Sequence, residues 1–506
     1  MLNQGAGSLL RPNLSSAQLV AAGGAGLLLG LACLRLSPLS VLGALTAILL
    51  VLTTLKRPEV ALLGLVALTS SLVAEQDNPP IPIGFGTLYI SDAILLSLFG
   101  LFIIRWMVEP QFRIVRTPLD LPLLAFYGVA VLSTLIAILQ GSLPFHQSLE
   151  ELRIVTNYLT FFVVTNLVRE KRQLVLLWRG ILLLAAIVAV ATIVQYLLGE
   201  SVTIIPGRVE TLSTEGVEYS GVARIIPPGQ SLILVGFVTM GVRLSQYRLS
   251  WTSLLALLHW GLVGSALLLS FNRNFWLGAG LALLLLAVLG EGRHRQRLVG
   301  WVLVSALLAA TILLPLASVP DSRAANLVSA SIGRLTSLGE RETFQDSDSS
   351  LRWRDFEYAY ALPQIASHPL LGLGLGARYR PFVLGMDHDA YDGRAYVHNG
   401  HIWILVKSGL LGYLSLMWLS LAFLLRALKY WRRIPDLEMR GWVLGFALTY
   451  LAVLLGSMVN SMLMQWFWTS VIGIMMGTNE AVIKNAVDKS RSDQPEADFH
   501  TIDNAQ

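Results

Sequence analysis

Apolar runs of about 20 residues follow one another along most of this chain, each long enough to cross the hydrocarbon core of a bilayer. Lipid offers no partners to backbone N–H and C=O groups, so runs of this kind fold as helices that satisfy their own backbone. About fourteen fall near residues 17–36, 38–55, 58–74, 91–108, 118–139, 151–168, 174–198, 229–246, 250–270, 275–290, 297–317, 399–425, 441–462 and 464–482. Runs 38–55 and 58–74 are short enough to form one hairpin or re-entrant segment, which would leave about twelve. Composition agrees: 54% of residues are hydrophobic and only 14% charged, where a soluble domain carries about 25% charged. The predicted fold is an all-α polytopic membrane protein with about 12–14 transmembrane helices.

Basic residues fix an orientation. With the N-terminus in the cytoplasm, Lys56, Arg57, Arg113, Arg116, Arg169, Lys171, Arg243, Arg293, Arg426, Arg432, Arg433 and Lys484 all fall in cytoplasmic loops. The positive-inside bias therefore predicts both termini inside. It also accounts for the net charge of +5 without nucleic acid. No cleavable signal peptide is expected, since Met1 to Pro12 is polar and glycine-rich. The single cysteine, Cys33, excludes an intramolecular disulfide and a cysteine-based metal site. The tail 484–506 is polar, without periodicity, and is expected to be disordered.

The outward segments, 199–229, the short link at Arg273 and the long loop 318–397, hold arginine and no lysine. A planar guanidinium suits bidentate recognition of phosphate or carboxylate. The plainer reading, which covers most of them, pairs these arginines with acids of the same loops. Arg273 sits in a link of a few residues between apolar helices, where it serves either as a snorkelling anchor or as a ligand for a lipid headgroup. Residues 351–362 read as an amphipathic helix on the outer leaflet, carrying Arg352 and Arg354, with Pro363 near its end. The glycine-alternating run from Pro369 to Gly376 lacks dinucleotide-loop spacing and reads as a flexible turn over a site. Asp387, His388, Asp389 and Asp392 cluster but lack the rest of a calcium loop, so no metal and no cofactor is expected.

The polar loop ends at His398-Asn399, and a long apolar helix begins. His398, Ile402, Leu405, Gly409 and Gly412 fall at steps of three and four, on one face, and the two glycines would let a neighbouring helix approach. A helix N-terminus favours an anion and disfavours imidazolium, so the spacing predicts a histidine able to accept a proton. A lone histidine here is more often an interfacial cap; the surrounding residues tip the balance.

His398-Asn399 followed by Gly409-Leu410-Leu411-Gly412, the segment Ser367-His368-Pro369-Leu370-Leu371-Gly372-Leu373-Gly374, and Arg273 before an apolar helix together resemble the O-antigen ligase and O-antigen polymerase family over about residues 250–425. Asn272 and Asn274 around Arg273 replace the family's usual small residues. The resemblance implies a metal-independent, inverting, GT-C-like membrane glycosyltransferase of the bacterial inner membrane. Such an enzyme takes a glycan from an undecaprenyl-diphosphate carrier at the periplasmic face. A ligase passes it to lipid A–core, a polymerase to another repeat unit of the glycan. By matching position, Arg273 and Arg354, with Arg352 the near alternative, would grip the diphosphate, and His398 would serve the acceptor hydroxyl. Arg224 is a candidate to add to that clamp, and Asn399 lies beside the histidine among the substrate-binding positions. The domain reading is an N-terminal transmembrane region 1–249, a catalytic region 250–425 with periplasmic loop 318–397, C-terminal helices 426–483, and the tail. The competing class is a transporter of a small solute such as bicarbonate, which needs polar groups at midplane. Lys407, His259, Gln195 and Asn460 are the few candidates for such a path.

Overall fold

The computed structural model describes residues 52–73, 80–82, 87–214, 217–246, 250–319, 322–336, 350–383 and 393–492. The first two expected spans lie almost wholly outside these residues, as does the acidic run 387–392. Residues 58–506 form one compact unit, which holds every expected site residue.

Its elements are α1 (Pro58–Ser70), the short pair β1 (Ile81–Pro82) and β2 (Thr87–Leu88), α2 (Ile90–Val108), α3 (Asp120–Leu139), α4 (Phe145–Thr156), α5 (Thr160–Leu167) and α6 (Lys171–Leu198). A hairpin comes next, β3 (Arg208–Thr214) and β4 (Val217–Ile226), then α7 (Gln230–Gln246), α8 (Trp251–Leu269), α9 (Arg273–Leu289) and α10 (Gly292–Ala317). The chain ends with α11 (Arg323–Thr336), α12 (Ser350–Ser367), α13 (Gly400–Tyr430), α14 (Leu437–Gly456) and α15 (Trp466–Ser492). Among the described residues seven helices are long and apolar enough to cross a membrane, and α1 and α9 are shorter apolar helices. The fold is an all-α polytopic membrane protein, as the apolar runs require.

α14 is apolar on every side and buried at most positions, the mark of a central helix. α7 and α9 pack along it, α3 pairs with α13, and α15 packs on α5 and α1. α10 is peripheral: of its side chains only Leu298 is buried.

Three expectations need correction. The run 151–168 is helical to Leu167, but tightens into a 3-10 turn at Asn157–Leu159, where α4 passes into α5. Gly473 of α15 packs against this stretch, at the Thr160 hydroxyl and the Tyr158 carbonyl, with no room for a Cβ. The loop 199–229 contains the β3–β4 hairpin, which its mixed sequence did not announce. Residues 484–492, grouped by sequence with the polar tail, continue α15; the rest of the tail lies outside the described residues.

Candidate functional site

The motif glycines do more than thin a helix face. Gly409 has φ 63° and ψ −166°, so α13 is broken there, and an L side chain would be strained. Its nearest neighbour is the backbone of Leu370 rather than a second helix. The segment Pro369–Gly374 runs against the break and takes up the backbone groups that it frees. Leu373 N–H donates to the Val406 carbonyl at 2.8 Å, Gly374 N–H to Lys407 at 2.9 Å, and Leu410 N–H to Pro369 at 2.8 Å. Ser133 of α3 donates to the Lys407 carbonyl at 2.9 Å and also to Leu371. Gly372, Gly374 and Gly376 all have positive φ, and each faces neighbouring backbone that would crowd a Cβ. The expected flexible turn is therefore a packed plug, in which non-helical backbone is tolerated because protein surrounds it. Lys407, two residues before Gly409, lies fully buried, its Nζ 3.1 Å from Glu151 Oε1 on α4.

Above this break stands His398. α13 begins at Gly400 with Asn399 as its N-cap, so His398 precedes the helix instead of occupying its first turn. Asn399 Oδ1 accepts from the N–H groups of His401 at 3.0 Å and Ile402 at 3.2 Å, and its Nδ2 donates to the Tyr358 hydroxyl at 3.0 Å. Both ends of that amide hold the loop in place.

The partner of His398 is a residue that sequence alone does not single out. Glu357, on α12, is 1% exposed, and its Oε1 lies 2.7 Å from His398 Nδ1. Its Oε2 accepts the His398 backbone N–H at 2.9 Å, and Trp353 Nε1–H donates to Oε1 at 3.0 Å. A carboxylate only accepts, so Nδ1 carries the proton and the neutral ring keeps its lone pair on Nε2. The imidazole is 37% exposed, flanked edge-on by Tyr396 at 4.9 Å and Trp353 at 6.5 Å. α12 turns Glu357 and Ala361 inward and continues through Pro363 to Ser367.

Arg354, and neighbours in sequence of His398 and Arg273, hydrogen-bond to the turn between α14 and α15. Arg354 donates to the Val459 carbonyl at 2.8 Å. Gly400 N–H donates to Ser457 at 2.8 Å, which seats the start of α13 two residues after His398. Asn274 Nδ2 donates to Gly456 at 2.9 Å, which seats Arg273 beside it. Ser461 donates to the Tyr396 hydroxyl at 2.8 Å. The side chain of Arg352 lies outside the described residues.

Arg224 comes from β4 and shares Glu210 with Arg208, at 3.2 Å from Oε1. For these two the loop's own acid is indeed a partner, as the plainer reading held. Burial lowers the Arg224 guanidinium, Glu210 offsets part of this, and the fields of Arg208 and Arg273 add to the lowering. Arg334 on α11 is pushed down to about 10 by burial, with Arg224 and Arg273 contributing. Arg208, Arg224, Arg273 and Arg334 thus share one region, in which Glu210 pairs with Arg208 and Arg224. Arg334 was not separated from the other loop arginines by sequence, because α11 carries no motif.

A bundle of long apolar helices carrying a carboxylate-held imidazole and a cluster of guanidinium groups defines an all-α polytopic membrane protein. Residues 258–417 match the model of the O-antigen ligase family. At the level of the family this supports glycan transfer of the O-antigen ligase type, with glycan and lipid substrates in the membrane. The match spans Arg273, Arg354, Glu357 and His398. No curated protein matches the chain.

Proposed function

We propose that this protein transfers a glycan from an undecaprenyl-diphosphate carrier to an acceptor hydroxyl at the periplasmic face of the bacterial inner membrane, with lipid A–core as acceptor. The observation that carries the reading is the His398–Glu357 pair, with Arg354 and Asn274, the neighbour of Arg273, bonded to the turn after α14 that also seats Gly400. Glu357 holds the Nδ1 proton, so Nε2 takes the proton of the acceptor hydroxyl as its oxygen attacks the anomeric carbon. The bond from that carbon to the diphosphate oxygen breaks with inversion, and the electron pair leaves on the diphosphate. Arg273 and Arg354 neutralise the growing charge, with Arg224 alongside; positioned charge of this kind is often the largest single contribution to such catalysis. Proton removal in the transition state contributes about 10²–10⁴ in rate. None of these steps calls on a metal.

The polymerase reading shares this donor chemistry and differs in acceptor. Of the four polar residues open to the transporter reading, Lys407 is engaged by Glu151 and fully buried. Replacing His398 with alanine is expected to leave a folded, inserted protein that transfers no glycan. Normal transfer by that variant would refute the assignment. Surface polysaccharide from a deletion strain separates the acceptors: unattached lipid-linked polymer marks a ligase, single repeat units on the core a polymerase.

A further inference from the structure

Helix ends gather at the end of α14 that lies away from His398. Gln246 closes α7, Leu289 closes α9, Gly292 opens α10, and α13 passes through the tight turn Trp431–Arg433 on its way to α14. Between them lies a cavity of about 60 Å³, with Gln246, Glu291, His294, Trp431, Arg432 and Arg440 in its lining. One water needs about 10–15 Å³ of such space, so the cavity has room for about five water-sized atoms, the bulk of a phosphate group.

Its walls supply donors. Arg432 gives one N–H to the Leu289 carbonyl at 2.8 Å and lies 5.0 Å from the centroid of the Trp431 ring. Arg440 gives its Nε–H to the Ile434 carbonyl at 2.8 Å. These bonds fix both guanidinium groups and leave further N–H donors on each. Neither pairs with a carboxylate among the described residues. The first turn of α10 adds backbone N–H groups, which the Glu291 side chain does not cap. One acceptor belongs to the same wall: Gln246 is 9% exposed, and its Oε1 is buried without a hydrogen-bond partner. It lies against Gly441, next to Arg440. A buried acceptor is costly when no donor meets it, so a ligand that brings a hydroxyl hydrogen is favoured here.

Position identifies the source of such a ligand. Leu284 and Val288, just before the cavity on α9, are exposed apolar side chains, and the exposed residues that follow are Glu291, Arg293 and Arg295. Apolar surface gives way to charge at this height, as it does where acyl chains meet headgroups. We propose that the cavity binds the headgroup of an anionic phospholipid, its phosphodiester held by Arg432 and Arg440 at the start of α10 and a headgroup hydroxyl donating to Gln246. Two arginines against the one Glu291 favour an anionic head over a zwitterionic one. A lipid seated here joins α10, which buries only Leu298 of its own side chains, to α13 and α14. The site is independent of the transfer reading, since nearly the whole length of α14 separates Arg440 from the turn that seats Gly400. A free phosphate ion offers similar charge without the acyl chains, and is the other source that the test separates.

The test uses the full chain in an uncharged detergent, titrated with phosphatidylglycerol, phosphatidylethanolamine or inorganic phosphate and read by native mass spectrometry and unfolding temperature. The wild type is expected to bind phosphatidylglycerol about tenfold tighter than phosphatidylethanolamine. Arg432→Gln, at an exposed position, should abolish that preference, whereas Arg433→Gln, the neighbour outside the cavity lining, should keep it. Gln246→Met should weaken phosphatidylglycerol about threefold or more. Its lipid-free unfolding temperature should stay at or above that of wild type, because the change removes an unpartnered acceptor and nearly conserves volume. Retention of the preference in Arg432→Gln, or its equal loss in Arg433→Gln, would overturn the site by reducing the effect to general surface charge. Equal affinity of the wild type for the two lipids would overturn it as well. Displacement of phosphatidylglycerol by inorganic phosphate at equal concentration would assign the cavity to a soluble ion. Wild-type binding by Gln246→Met would remove the hydroxyl contact from the proposal.

Discussion

At the scale of single residues, the site divides by how each side chain acts. His398 and Arg273 were legible because each stands out chemically: a histidine at the border of loop and helix, and an arginine in a link too short for solvent to dilute its meaning. Glu357 was not legible. It lies on an amphipathic helix among Arg354, Asp355 and Tyr358, where an acid is ordinarily a solvated one. Only the folded chain shows that it is buried against an imidazole 41 residues away. Because Glu357 acts through His398 and touches no substrate, Glu357→Gln is expected to lower kcat by about 10² or more while leaving KM for the donor near wild type. A glutamine amide can donate to Nδ1 and so permits the wrong tautomer. Glu357→Asp should recover part of the rate, which a loss of packing alone would not explain. Wild-type kcat in the glutamine variant, measured with purified protein, would remove Glu357 from the mechanism. A second test concerns Arg273. Arg273→Lys keeps the charge but loses the planar fork, and transfer is expected to fall at least about tenfold. A lysine variant with full activity would leave Arg273 as a membrane anchor.

At the scale of elements, the apolar runs located most helices to within a few residues, since lipid imposes one solution on such sequences. What they could not show is where backbone serves as the ligand. The plug Pro369–Gly374 against the break in α13, and the turn after α14 that receives Arg354, Asn274 and Gly400, both work through carbonyl groups. Carbonyl groups are common to every residue and leave no signature in sequence. The glycines are the one visible trace, and their left-handed φ values explain them. Gly409→Ala combines that strain with a collision against Leu370, and is expected to cost about 3 kcal/mol or more. Gly280→Ala on α9, where nothing lies within 4 Å, serves as control and should be neutral or slightly stabilising. Equal unfolding temperatures for the two variants would show that the break is not required. The buried Lys407–Glu151 pair gives a companion test. Lys407→Met strands a buried carboxylate and is expected to cost about 3–5 kcal/mol, most of it recovered when Glu151→Gln is added.

At the scale of the whole molecule, the two ends of the bundle differ in charge chemistry. α14 spans 20 residues, or about 30 Å, roughly the thickness of the bilayer core. At its C-terminal end lies the turn that accepts hydrogen bonds from Arg354, Asn274 and Gly400. At its N-terminal end, Asp436 caps the helix by accepting from Glu438 and Met439 N–H groups, and it pairs with Lys171. Burial alone would raise the Asp436 carboxyl, but the hydrogen bonds from Lys171 and from the Met439 and Glu438 N–H groups outweigh it and hold it below the ordinary range. A carboxyl depressed on folding stabilises the folded state above its unfolded pKa, so this contribution is lost as pH falls below about 4. Arg179 and Arg243 face Glu438 at the same end, and Arg432 donates to the Leu289 carbonyl. Lysine and arginine mixed at one end, and clustered arginine at the other, is the asymmetry expected of cytoplasmic and external faces. It predicts the orientation directly. With Cys33 replaced by serine, a cysteine at Val459 should react with a membrane-impermeant maleimide in intact spheroplasts, whereas one at Arg433 should react only after permeabilisation. Both positions are exposed, so access is decided by the side of the membrane and not by burial. The reverse pattern would place the arginine cluster in the cytosol, where a carrier displayed on the outer face could not reach it, and the transfer reading would fail at its first requirement.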